Sequence, residues 1–319
     1  MKKSYLRYSD YLKEKYGRKT YKLPVNLPLS CPNRDGNIST GGCIFCGEDA
    51  AGFEMLSQNL SVEEQLIKNK DYIGKKYNAE AFIAYFQNYT NTYMPLLTFK
   101  ARMEEACIDG VVEICVSTRP DCIDEDYLNV LEDISKRKGV SISIELGLQS
   151  VNYKTLEKLN RGHSLAEFIN CVGMIKPYGF DIGVHMILNL PWDDIGDAVE
   201  AAKILSALKI QTVKLHSLYV LENTYLGDLY KNNEFDICTM DQYVDRVVLF
   251  LEKLDPEIAI QRLLARAPKE KTLFCNWDTS WWKIRDLIEE KMIVKNVWQG
   301  KGYDYLVNRS VERFAKNNR

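Results

Sequence analysis

Three cysteines are spaced for ligand chemistry. Cys31, Cys43 and Cys46 fall in CPNRDGNISTGGCIFC, a stretch punctuated by proline and glycine. Thiolates gathered on one loop suit a soft metal, either zinc or an iron–sulfur cluster. A structural zinc site needs a fourth ligand, yet the only histidines, His163, His185 and His216, lie in three different segments. From spacing alone zinc, a cluster with one open coordination position, and unligated thiols all stand as readings. The other six cysteines, Cys107, Cys115, Cys122, Cys171, Cys238 and Cys275, form no CxxC pair and mostly occupy apolar positions, where cysteine acts as a small hydrophobe. An odd nine is also a poor disulfide framework.

Such a loop needs a scaffold. Apolar, β-branched runs at 81–86, 111–117, 140–146, 180–190 and 212–218 alternate with helical spacing at 62–76, 96–107, 125–137, 165–175 and 194–208. Ser61 with Glu64, and Ser164 with Glu167, are helix-start signals. Alternation of this kind predicts a parallel sheet. A sixth strand at 23–29 is interrupted by Pro24 and Pro28, which confines it to an edge. Six strands fit a partial (β/α)6 TIM-type barrel over 23–237. It follows a basic segment at 1–22 and precedes a C-terminal α/β extension at 238–319, read as a layer covering the barrel. That extension holds a helix at 241–254, an apolar run at 258–264, and Trp277, Trp281 and Trp282.

In parallel α/β folds ligands collect at the carboxyl ends of the strands. Polar clusters stand there: Gln87 to Thr92, Ser117 to Asp121, Glu145 to Ser150, and Lys214 with His216. If the register is right, Arg119, Glu145, Lys214 and His216 point into one cavity and address substrate.

Composition sets the outer limits. The 319 residues hold 42 Lys and Arg against 44 Asp and Glu, with 46% apolar residues, a globular balance that excludes disordered and collagen-like classes. No apolar stretch approaches a membrane span, and MKKSYLRYSDYLKEKYG lacks a signal-peptide core, so a cytoplasmic location is expected. The near-neutral total hides opposed parts: +6 over 1–22, +3 over 261–271 and +3 over 301–319, leaving −14 elsewhere. Tyr5, Tyr8, Tyr11, Tyr16 and Tyr21 interleave with the first basic run, a pattern suited to phosphate contacts and base stacking. The ordinary alternative is a solvated terminus.

The cysteine loop and the segments IAYFQNYTNTY, STRPD, ELGLQS, LNRGH and KLHSL together resemble the radical S-adenosylmethionine enzymes related to the catalytic subunit of Elongator, and within them the YhcC/YtqA-like (MnmL-like) group. The resemblance covers residues from about 18 to about 230. It implies that Cys31, Cys43 and Cys46 bind three irons of a 4Fe-4S cluster whose fourth iron takes S-adenosylmethionine. Reductive cleavage then gives a 5′-deoxyadenosyl radical. By position, Gln87 corresponds to a contact with the cofactor's amino group, Gln149 and Arg161 to a pair holding its ribose and carboxylate, and His185 to a ribose contact. The implied partners are a tRNA, modified at its wobble uridine from a carboxymethylaminomethyl to an aminomethyl side chain, and a one-electron donor such as flavodoxin or ferredoxin. Two readings compete with tRNA modification: a radical enzyme acting on a small metabolite or protein, and a zinc-bearing RNA-binding module without catalysis. Two segments depart from the family pattern. Asn189-Leu190-Pro191-Trp192 adds bulk beside the expected adenine, and Leu264-Ala265-Arg266-Ala267-Pro268 replaces a glycine-rich turn.

Overall fold

All six expected strands form in the computed structural model, which describes residues 4–47, 55–267 and 271–306. They are β1 (Thr20–Val25), β2 (Ala81–Phe86), β3 (Val111–Thr118), β4 (Ser141–Gln149), β5 (Asp181–Ile187) and β6 (Thr212–His216). Short strands β7 (Tyr219–Leu221), β8 (Ala259–Arg262) and β9 (Thr272–Cys275) follow. β1 to β6 lie side by side in chain order, every pair parallel, and β8 joins β6 as a seventh parallel strand. The apolar run expected in the covering layer thus adds a strand to the main sheet. Four residues are too few for their periodicity to show it.

The expected helices appear as α2 (Val62–Tyr77), α3 (Leu96–Glu105), α4 (Glu125–Lys138), α6 (Leu165–Ile175) and α7 (Ile195–Ala207), preceded by α1 (Tyr8–Tyr16) and interrupted by α5 (Tyr153–Lys158). α8 (Tyr225–Lys231), α9 (Met240–Lys253) and α10 (Trp281–Val294) complete the set. Ser61 and Ser164 form the anticipated capping boxes: Ser61 N–H donates to Glu64 at 2.8 Å and Ser164 N–H to Glu167 at 2.7 Å. No described helix is long and apolar enough to cross a membrane.

β1 starts and ends earlier than expected. Past Val25 the backbone is taken over by a side chain, since Asn26 N–H donates to Gln65 Oε1 at 2.8 Å and Gln65 Nε2 donates back to Asn26 O at 2.8 Å. Pro24 is tolerated because β1 is an edge.

The sheet is curled. Neighbouring strands lie about 4.8 Å apart, so β4 and β8, three strands distant, would be about 14 Å apart in a flat sheet. Instead Gln261 on β8 donates to Glu145 on β4 at 2.8 Å, and Lys22 on β1 donates to Gln261 at 2.9 Å. Side chains therefore bridge β1 and β8, which are not hydrogen-bonded strand to strand. The N-terminal segment enters that gap: Ile260 N–H donates to Leu6 O at 2.8 Å, and Arg7 forms a parallel bridge with Ile260.

The basic segment is neither a solvated tail nor a row of base-stacking tyrosines. α1 lies across the amino-terminal ends of the strands, with Leu12 buried against Ile83, Tyr85 and Cys115. Tyr11 donates to Asp181 at 2.5 Å, Lys15 pairs with Asp181 at 2.6 Å and Glu113 at 3.1 Å, and Tyr16 donates to Glu113. Tyr5 is buried and bonded to Glu289 at 2.9 Å, while Tyr21 stacks on Tyr77. Tyr11 and Tyr16, bonded at the starts of β5 and β3, close the bottom of the barrel. Lys2, Lys3, Pro268, Arg309, Arg313, Lys316 and Arg319 lie outside the described residues.

Candidate functional site

The cysteine loop leaves the carboxyl end of β1 and is shaped by its own backbone. Arg34 N–H donates to Cys31 O at 2.8 Å, Gly42 N–H to Asn33 O at 2.8 Å and Cys46 N–H to Cys43 O at 2.9 Å. Gly42 must be glycine: its φ is +84°, and a Cβ would sit 2.9 Å from Arg34 Cγ. The loop is tied to the segment after α5, where Ile44 N–H donates to Leu159 O at 3.1 Å and Asn33 Nδ2 donates to Asn160 O.

Cationic side chains face the sulfurs. Arg161 Nη1 donates to Cys43 Sγ at 3.1 Å and Arg161 Nη2 to Gly147 O at 2.6 Å. Arg119 is chelated by Asp121 at 2.9 and 2.8 Å and donates to Arg161 O at 2.6 Å. Burial, then the neighbouring Cys43 sulfur, pushes the Cys46 thiol up to about 11, while Arg34 and Arg161 pull the other way. Three sulfurs on one loop therefore influence one another, and burial with a neighbouring sulfur outweighs the two arginines at Cys46. Among the described residues no three His, Cys, Asp or Glu side chains converge on one point, as ligands of a single tetrahedral ion would. The donor chemistry, three thiols beside arginines that keep Arg119 Nη1 and Arg161 Nε buried without partners, fits a cluster with one iron left for an outside ligand.

The remaining sites predicted from sequence divide into two groups. Gln149 and Arg161 come together over Gly147, where an added Cβ would meet Gln149 Nε2 at 3.0 Å and Arg161 Nη2 at 3.4 Å. Gln149 sits at φ +75°, beyond a register shift in the β4–β5 pairing, a costly conformation for a residue with a side chain. Arg119 belongs with this group at the cysteines and not with the barrel interior where substrate contacts were expected. His163 also joins it, 2.9 Å from Arg161, and burial together with Arg161 lowers its pKa to about 3.

Glu145, Lys214 and His185 form the second group, inside the barrel. Glu145 is the hub: it accepts from Lys214 at 2.9 Å, Tyr85 at 2.7 Å and Gln261 at 2.8 Å, pairs with Lys22, and bonds His185 Nε2 at 2.7 Å. Burial alone would raise its pKa, but Lys214, Lys22 and His185 hold it well below the usual carboxylate range. Burial draws Lys214 down to about 7, against Glu145, and His185 down to about 4. His216 is bonded to Arg262 at 2.7 Å, with its ring 5.3 Å from that of His185. Lys22, Tyr85, Gln261 and Arg262 were missed by sequence reasoning, although each is a polar residue inside an otherwise apolar run.

A cavity of about 1150 Å³ opens on this second group; Gln87, His185, Lys214, His216 and Arg262 line it, as do Lys13, Arg18, Arg266 and Trp281. A separate cavity of about 630 Å³, between Tyr230, Phe235, Phe274 and Trp277, holds none of the predicted site residues. Trp192, expected to crowd the adenine, packs toward that region, 6.0 Å from Phe235. Asn189 is buried and accepts from Leu218 N–H at 2.6 Å.

Residues 34–205 match the Radical SAM superfamily and residues 210–293 the Radical_SAM C-terminal domain. The chain is 33% identical to MJ0486 of Methanocaldococcus jannaschii over 93% of its own length and 91% of that protein. It is 29% identical to YtqA of Bacillus subtilis over 97% and 95%, respectively. A partial match, 23% identical over 49% of this chain and 29% of the other, is to a tRNA uridine(34) acetyltransferase of Methanocaldococcus infernus. In fold it is similar to the archaeal Elp3 of M. infernus, with a TM-score of 0.66 at 16% identity over 88% of this chain and 64% of that one. With the family model and full-length relatives in agreement, the chain belongs to the radical SAM superfamily, whose cofactors are a 4Fe-4S cluster and S-adenosylmethionine.

Proposed function

We propose that this radical SAM enzyme modifies the wobble uridine of tRNA, converting a carboxymethylaminomethyl side chain to aminomethyl, and that it does so in the cytoplasm with electrons from a flavodoxin or ferredoxin. The observation that carries the reading is a cavity whose wall joins the polar barrel interior to Arg266 and Trp281, beyond the carboxyl end of β8. Cations for phosphates and an aromatic face for a base are what entry of one nucleotide requires. The partial likeness to a protein named for tRNA uridine 34 supports the same substrate class.

Cys31, Cys43 and Cys46 would hold the cluster, and Gln87, Gln149 and Arg161 the polar groups of S-adenosylmethionine. When bound, these cofactors supply hydrogen abstraction from an unactivated C–H bond. The chain's own residues position and enclose the substrate. Lys214 Nζ, buried and 2.9 Å from Glu145, can hold or release a proton near neutrality.

The test is anaerobic reconstitution with S-adenosylmethionine, reductant and tRNA bearing the carboxymethylaminomethyl group, followed by mass spectrometry of the nucleosides. The expected result is loss of that nucleoside in step with 5′-deoxyadenosine formation. Steady cofactor cleavage with every tRNA nucleoside unchanged would transfer the assignment to a small-molecule or protein substrate.

A further inference from the structure

Among the described residues, Arg262 in the cavity wall pairs with no carboxylate. Arg262 ends β8, and its register partner on β6 is Lys214, so two positive side chains stand on adjacent strands and both line the cavity. Like charges placed so are unfavourable without an anion between them. The carboxylate at hand, Glu145, is already committed to Lys22, Lys214, Tyr85, Gln261 and His185. Arg262 donates instead to the His216 ring, Nη2 lying 2.7 Å from Nδ1 and 3.1 Å from Nε2, and its Nε is buried with no partner. No carboxylate among the described residues pairs with it.

A half-buried guanidinium whose Nε–H is buried without a partner is costly to the folded chain and matches an oxyanion in shape. Arg266, by contrast, is exposed and lies over the Trp281 ring at 4.7 Å, where a backbone phosphate can reach it. The deeper, drier position of Arg262 suits the small reacting end of a substrate.

We propose that Arg262, steadied by His216 and facing Lys214, binds the carboxylate that ends the substrate's reacting side chain. The assignment rests on the tRNA reading above and names the group by which that substrate is told from its product.

The experiment compares two anticodon stem–loops that differ only in the wobble side chain, carboxymethylaminomethyl or aminomethyl, bound to the full-length reconstituted protein. The wild type is expected to bind the carboxylated RNA about tenfold more tightly, as one charge-assisted hydrogen bond provides. Arg262→Gln should bring the two RNAs within about twofold by weakening only the carboxylated one, and Arg262→Lys, which keeps the charge without the fork, should fall between. Retained preference in Arg262→Gln, or no preference in the wild type when both RNAs bind, overturns the proposal and leaves the tRNA reading intact. If neither RNA binds, the tRNA reading fails. The free carboxymethylaminomethyluridine nucleoside then decides: Arg262-dependent binding upholds the fork, and Arg262-independent or absent binding overturns it. Inorganic phosphate competing through Arg262 with the uncarboxylated RNA would assign the fork to a phosphate, which also overturns the carboxylate assignment.

Discussion

The two ends of the barrel treat charge in opposite ways. At the bottom, Lys15, Asp181, Glu113, Tyr11, Tyr16 and Ser143 satisfy one another, with Ser143 donating to Glu113 at 2.6 Å. At the carboxyl ends, Arg119, Arg161 and Arg262 each keep a buried N–H without a partner, as do Asn33 and Asn91 a buried oxygen. Buried polar atoms are nearly always bonded, so these unpaired donors and acceptors set the carboxyl end apart from the bottom. In the first region a basic, tyrosine-rich composition makes a structural closure; in the second the cations keep donors unpaired.

The largest effect should come from the cysteines. Replacing Cys31, Cys43 or Cys46 by alanine is expected to abolish both the brown chromophore of the reconstituted protein and reductive cleavage of S-adenosylmethionine. Cleavage surviving in all three variants would end the cluster assignment. Between the two ends lies Glu145, and Glu145→Gln leaves Lys22 and Lys214 without their shared counter-charge. Urea unfolding should show a loss of about 3–5 kcal/mol, the usual consequence of breaking a buried pair.

Lys214 sharpens the contrast through pH. Its folded pKa, lowered to about 7 by burial, lies below the 10.5 of an ordinary lysine. Between those values the unfolded chain binds the extra proton, so this group makes stability rise with pH, by up to about 1.4 kcal/mol per unit. Lys214→Met should remove that rise from stability curves taken between pH 7 and 9, and an unchanged slope would place the titration elsewhere. The smallest effect belongs to the bottom. Tyr11→Phe should cost about 1 kcal/mol of stability, since Lys15 still covers Asp181, and leave cofactor cleavage untouched. A large loss of cleavage would mean that the bottom is not merely a closure.

Much of the scaffold was legible because it is written locally. The runs at 81–86 and 165–175 became β2 and α6 with the expected limits, and the Ser61 and Ser164 caps need only a residue three positions on. β8 and α1 were not legible: the first is too short to display a period, and the second reads as a charge run until its partners are known. Likewise Gln149 and Arg161 were found from motif positions, whereas Arg119 was assigned to the barrel interior because its strand register alone points there. Its bidentate bond to Asp121 two residues on turns it to the cysteine loop instead.

The sequence by itself determined the three-sulfur loop, the strand–helix alternation and the family, all properties of spacing within a few dozen residues. Only the tertiary structure decided that Lys22, Tyr85, Glu145, Lys214 and Gln261 share one network, and that Arg262 is left with a spare N–H. These contacts join residues from 60 to 239 positions apart, as in Tyr85–Glu145 and Lys22–Gln261. Curling of the sheet brings them together, and no local pattern encodes which cation will find its anion already taken.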